Sequence, residues 1–133
     1  MMMKNYITED YCSYEVAKLL KKKGFNEPCY RWYDGNGDIC AKFITPDVPL
    51  DYFSRERYLC PTHQMTMKWL REVHNIFIVI EPHMYDYINE KNSSYVTSLW
   101  QGDNYYENVT SKDYPTYEEA VEATLKFSLE NLI

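Results

Sequence analysis

An α+β fold is what the sequence predicts. It has one antiparallel four-stranded sheet made of two hairpins and three helices mainly on one face, in the order α-β-β-α-β-β-α. Three observations lead there. Three stretches carry helical periodicity with capping residues at their ends. Asp34-Gly35-Asn36-Gly37 is a strong hairpin turn between alternating segments. The run Ile76-Phe77-Ile78-Val79-Ile80 is wholly apolar and directly follows the second helix.

The first helix is expected over residues 13–23. Ser13 suits the N-cap, and Glu15 sits well in the first turn. Cys12, Val16, Leu19 and Leu20 form the apolar face. Lys21, Lys22 and Lys23 complement the negative end, Gly24 stops the helix, and Phe25 packs back. Residues before Cys12 are read as irregular. A helix-turn-helix is excluded because residues 29–34 alternate as a strand where a second helix would be needed.

The return strand spans 38–44, with Ile39, Ala41 and Phe43 on one face. Residues 34–38 imitate the start of a calcium loop. The imitation fails at Ile39 and Thr45, where a glycine and a glutamate are required. Residues 45–60, with Pro46 and Pro49, read as a long loop pinned by Tyr52, Phe53 and Tyr58, and long loops often carry function.

The second helix is expected over 62–74, with Pro61 at its start and Asn75 at its stop. Met65, Thr66, Trp69, Leu70 and Val73 make its apolar stripe, and Gln64, Lys68, Arg71 and Glu72 lie opposite. The strand at 76–81 is apolar on both faces, which predicts a central position, with Ile78 and Trp69 among the most buried residues. Pro82 is expected to end it. Residues 83–94 read as a connection, 95–101 as the fourth strand, and 102–104 as a turn; 105–115 carry no clear pattern. Thr116 and Glu119 form a capping box for a helix over 117–131. Its apolar face is Tyr117, Val121, Thr124, Leu125, Ser128 and Leu132. Phe127 falls off that stripe, which makes it a candidate contact for a partner.

The chain of 133 residues predicts a single domain over 1–133. Its 14 basic and 20 acidic residues give a net charge of −6, which disfavours nucleic acid and anionic membranes. The longest apolar run is too short to span a bilayer, and residues 1–6 carry no signal-peptide pattern. A cytoplasmic protein is therefore expected, with Cys12, Cys29, Cys40 and Cys60 reduced. No cofactor motif occurs. Cys60 and His63 have ligand-like spacing, yet His63 and His74 would lie about 16 Å apart along one helix and cannot share a metal. No oxyanion or phosphate-cradling glycines accompany the cysteines. Tyrosine, at 14 residues, is in excess, and aromatics of this kind are enriched at interfaces. The expected function is thus a protein-binding module using Tyr52, Phe53, Tyr58 and Phe127, with a homodimer as the simplest assembly. A nucleic-acid-contacting accessory protein and a small Cys/His enzyme are the alternatives.

Residues 15–25, 67–76 and 117–133 resemble a group of small proteins of unassigned activity. These are frequent in gut anaerobes of the Bacteroides type and in their phages and integrated elements. The resemblance implies a phage or mobile-element accessory protein. It brings no functional residues with it.

Overall fold

Local rules fix the helices where they stand in the computed structural model, which describes residues 6–44, 56–84 and 93–133. Helix α1 (Tyr14–Lys22) begins where Ser13 Oγ accepts from Val16 N–H. It closes where Phe25 N–H reaches Leu20 O at 2.9 Å, with Gly24 at φ 92°. Helix α2 (His63–His74) begins on Thr62, whose Oγ1 accepts from Met65 N–H, and stops at Asn75 in the left-handed conformation. Helix α3 (Tyr117–Asn131) begins on the expected capping residue Thr116.

The strands are β1 (Cys29–Asp34), β2 (Ile39–Ile44), β3 (Arg57–Leu59), β4 (Ile76–Met84), β5 (Ser93–Gln101) and β6 (Asn104–Glu107). They form two antiparallel sheets of three strands, ordered β2-β1-β3 and β4-β5-β6, and the expectation of one four-stranded sheet is corrected. The reason is local. A third strand from each patternless stretch takes the open side of the hairpin's inner strand: β3 pairs with β1, and β6 pairs with β5. At three and four residues, both are too short to show alternation. The β1–β2 turn is as read. Gly37 sits at φ 84°, and a Cβ there would lie 3.1 Å from the Tyr14 ring. The Asp34 carboxylate accepts from the N–H groups of Asn36 and Asp38, so it serves the turn.

Helix packing joins the sheets. Helix α1 lies on β3 and α3, while α3 also lies on β4 and β5, and α2 on β4 and α3. Leu20, Leu70, Ile76, Leu99, Val121, Leu125 and Leu129 are fully buried between them. Thr124 and Ser128 are buried too, and each hydroxyl donates to the carbonyl four residues back, at 2.7 and 2.8 Å. Phe127 is half-buried against this core.

Among the described strands β4 is an edge strand, not a central one. Trp69 is buried as expected, but Ile78 is only half-buried, and Ile76 is the residue that β4 sinks completely. Nor does Pro82 end the strand. Tyr95, which faces Pro82, exchanges both of its backbone hydrogen bonds with Tyr114 on the other side of β5. In an antiparallel ladder, directly opposed residues both point inward or both point outward. Pro82 therefore turns its missing N–H to the outer edge, where it costs no ladder bond. On α2 the buried set is His63, Thr66, Met67, Trp69 and Leu70, while Met65 and Val73 of the expected stripe are exposed.

Burial predicts an ordering along β4. Ile76→Ala should cost about 3 kcal/mol, as for other buried aliphatics, and Ile78→Ala roughly half of that for its half-buried side chain. Urea titration of both variants measures the order, and a larger loss at position 78 would contradict it.

Candidate interaction surface and buried junction

The two faces of the second sheet differ. Ile76, Ile78, Ile80, Thr97 and Leu99 point to the helices, because alternate residues share a face. The other face carries Phe77, Val79, Glu81 and His83 from β4, Ser98 and Trp100 from β5, and Tyr105 and Glu107 from β6. The register sets Phe77 opposite Trp100, and Trp100 opposite Tyr105. This makes an aromatic row across all three strands. Its members are 43%, 44% and 50% exposed, and the Trp100 and Tyr105 rings lie 4.8 Å apart at 42°. Among the described residues, no secondary-structure element covers this row.

Beside the row lies a cavity of about 380 Å³, bounded by Glu81, His83, Tyr105, Glu107 and Asp113 among others. Asp113 organises one wall: Ser94 Oγ donates to its Oδ2 at 3.0 Å, and His83 Nδ1 lies 3.1 Å from the same oxygen. Serine, histidine and aspartate thus meet, but Ser94 gives its proton to the carboxylate and not to the imidazole. The nucleophile-to-base hydrogen bond that acyl transfer needs is not formed.

The contact residues expected from sequence lie elsewhere. Tyr52 and Phe53 fall outside the described residues. Tyr58, on β3, is engaged within the molecule. Its ring meets Tyr14 edge-on at 5.6 Å, the Lys21 ammonium lies 4.8 Å above it, and its hydroxyl donates to Glu56 at 2.8 Å. Tyr58 and Phe127 are both half-buried and lie apart from the aromatic row. Two lysines of the run are engaged as well: Lys21 donates to Arg57 O and Lys23 to Ile133 O. Trp100, Tyr105 and Phe77 were not singled out by sequence reasoning. Their signal was the pairing register, which a single strand's pattern does not display.

A second cluster is buried where the chain start crosses the start of α2. Cys12 N–H donates to Pro61 O and His63 N–H to Asp10 O. Cys12 and Cys60 are fully buried, and Cys60 Sγ and the Tyr33 hydroxyl both donate to Cys12 O, at 3.4 and 2.7 Å. Hydrogen bonding to Cys60 and burial push the Cys12 thiol up, while hydrogen bonding from Cys12 holds Cys60 below its ordinary value in spite of burial. Burial pushes Cys29 up to about 12. A thiol with no exposed surface cannot meet a substrate, so the lowered Cys60 does not amount to a nucleophile.

Glu122 closes this cluster. Its Oε2 lies 2.7 Å from His63 Nε2, and its Oε1 accepts from Ser13 N–H at 2.9 Å. Burial alone would raise Glu122, but the bonds to His63 and Ser13 outweigh it and hold the carboxyl below its usual range. His63 is thus paired with a carboxylate, and the sequence spacing to Cys60 has no bearing on a metal. Among the described residues, no group of histidine, cysteine and carboxylate side chains converges as a metal site. His74, packed edge-on against Trp69 at 4.7 Å, is held below its ordinary value by burial.

No protein-family model matches this chain, and no match is found among curated proteins or solved structures. No described helix is long and apolar enough to cross a membrane.

Two outcomes follow from the junction. A carboxyl depressed in the fold stabilises fully above its unfolded pKa, and that stability fades as pH falls through the folded value. Glu122→Gln should therefore lower stability by about 2 kcal/mol at neutral pH, and the gap to wild type should narrow in strong acid. Denaturant titrations at both pH values would show a constant gap if the charge is irrelevant. Half-buried Cys40 should react first with a thiol reagent in the native protein, because Cys12, Cys29 and Cys60 are buried. Denatured, non-reduced protein should titrate as four thiols, and a lower count would mean a disulfide.

Proposed function

We propose that the protein is a small cytoplasmic binding module that docks a protein partner on the open face of β4-β5-β6. The exposed row Phe77–Trp100–Tyr105 carries this reading. Aromatic side chains supply large contact area for little conformational entropy, and they dominate the energetic centres of interfaces. The arrangement also has the expected anatomy, an apolar row with a polar border formed by Ser98, Glu81 and Glu107. Carboxylates beside the row and a net charge of −6 disfavour nucleic acid as the ligand. The resemblance noted above suits a phage or mobile-element accessory protein of this kind.

Trp100→Ser is the direct test. It removes the middle of the row while leaving the helix-facing side of β5 intact. Immobilised wild-type protein should retain partner proteins from a host lysate that the variant loses by tenfold or more, while circular dichroism shows the same fold. Equal retention by both would overturn the reading.

A further inference from the structure

We propose that the molecule pairs with a second copy of itself through the outer edge of β4. Two antiparallel β4 strands would meet about a two-fold axis at Val79, making one continuous six-stranded sheet. This deepens the binding-module reading by naming a partner and a seam, and the seam is the strand edge rather than the aromatic face.

The backbone directions define the seam. Tyr95 turns both of its backbone groups to Tyr114, and Val109 N–H donates to Thr97 O. Tyr95 and Thr97 therefore face away from β4, as do Leu99 and Gln101 by alternation. Their partners Pro82, Ile80, Ile78 and Ile76 accordingly direct their own groups outward. Among the described residues, no strand pairs with that edge. Two of its positions are closed. Ile76 is fully buried, and Pro82 has no N–H. Ile78 and Ile80 are half-buried and remain.

An antiparallel two-fold centred on Val79 sets Ile78 against Ile80 of the other copy, so both open positions exchange N–H and C=O bonds with each other. The same register sets Ile76 against Pro82 of the other copy, which matches the two closed positions. Val79 meets Val79 as a non-hydrogen-bonded pair, where side chains approach most closely. Centring on Ile78 or on Ile80 would waste a bond on one of the closed positions.

Charge favours the same seam. Two copies of net charge −6 repel, and residues 76–80 form an uncharged strip between Glu72 and Glu81. Proteins blunt exposed edges with lysine, proline or a bulge. Here the proline lies beyond the strip, and the ladder to β5 runs unbroken through it. A closed two-fold dimer is the commonest way to remove such an edge.

Sedimentation at micromolar concentration should give twice the chain mass. Val79→Lys sets two ammonium groups directly opposite each other on a half-exposed face, so it should convert the protein to monomer with an unchanged circular dichroism spectrum. In a Cys40→Ser background, Val79→Cys with oxidised glutathione should yield a covalent dimer on a non-reducing gel. The Cα separation of a non-hydrogen-bonded pair, about 4.5 Å, suits a disulfide. Glu81→Cys in the same background should not cross-link. A wild-type monomer, a folded Val79→Lys dimer or failure of Val79→Cys to cross-link would overturn the seam. Trp100→Ser separates this from the docking face. If it loses lysate partners but stays dimeric, both readings stand. If it becomes monomeric, the face joins the copies, and the edge seam is overturned while the docking face is kept.

Discussion

One carboxylate ties the three helices together. Glu122, on α3, takes the N–H of Ser13 at the head of α1 and the imidazole of His63 at the head of α2. Helix N-termini leave backbone donors unsatisfied and carry partial positive charge, so a carboxylate between two of them is stabilised twice over. The hydrogen bonds win against the cost of burial, which is why the carboxyl stays ionised. The chain crossing beside it, from Asp10 to His63 and from Cys12 to Pro61, depends on the same placement.

That junction decides where the sheets go. Helix α3 is held against α1 on one side and lies on β4 and β5 on the other. The first sheet is attached through β3 and α1, with Tyr33 donating to the Cys12 carbonyl from beneath. The second sheet gives one face to α3 and α2, and among the described residues no secondary-structure element covers the other. Its apolar residues are therefore divided by parity: Ile76, Ile78 and Ile80 serve the core, while Phe77 and Val79 are placed outside it by the same alternation. An apolar run that looks uniform in sequence does two different jobs.

Helix limits were legible because capping is local: Ser13, Thr116 and Asn75 act within a few residues of where they stand, whereas Pro61, expected in the first turn of the second helix, precedes the actual N-cap Thr62. The hairpin turn at Asp34–Gly37 was legible for the same reason. What failed was anything set by a distant partner. Residues 76–80 predicted a central strand, since apolarity on both faces usually means cover on both. Among the described residues β4 has β5 on one edge only, and the helices α2 and α3 pack on one face of it. Met65 and Val73 fit the helical period of α2 as well as Trp69 does, yet they fall outside the arc that α3 and β4 cover. Periodicity gives the width of an apolar stripe, and the neighbours decide how much of it is buried.

The tyrosines show why composition alone does not say which aromatics stay exposed. Tyr33 gives its hydroxyl to a buried carbonyl, Tyr11 lies under the Arg31 guanidinium at 3.8 Å, and Tyr14 packs against Tyr33 and Tyr58. Each has an intramolecular use that its one-letter identity cannot reveal. Tyr105 differs from them only in its register, which sets it beside Trp100 and in line with Phe77 on a face the helices leave alone. An excess of aromatics therefore raises the expectation of an interface without locating it. The exposed row itself follows from cross-strand pairing, which brings together three aromatic residues drawn from 29 positions of chain.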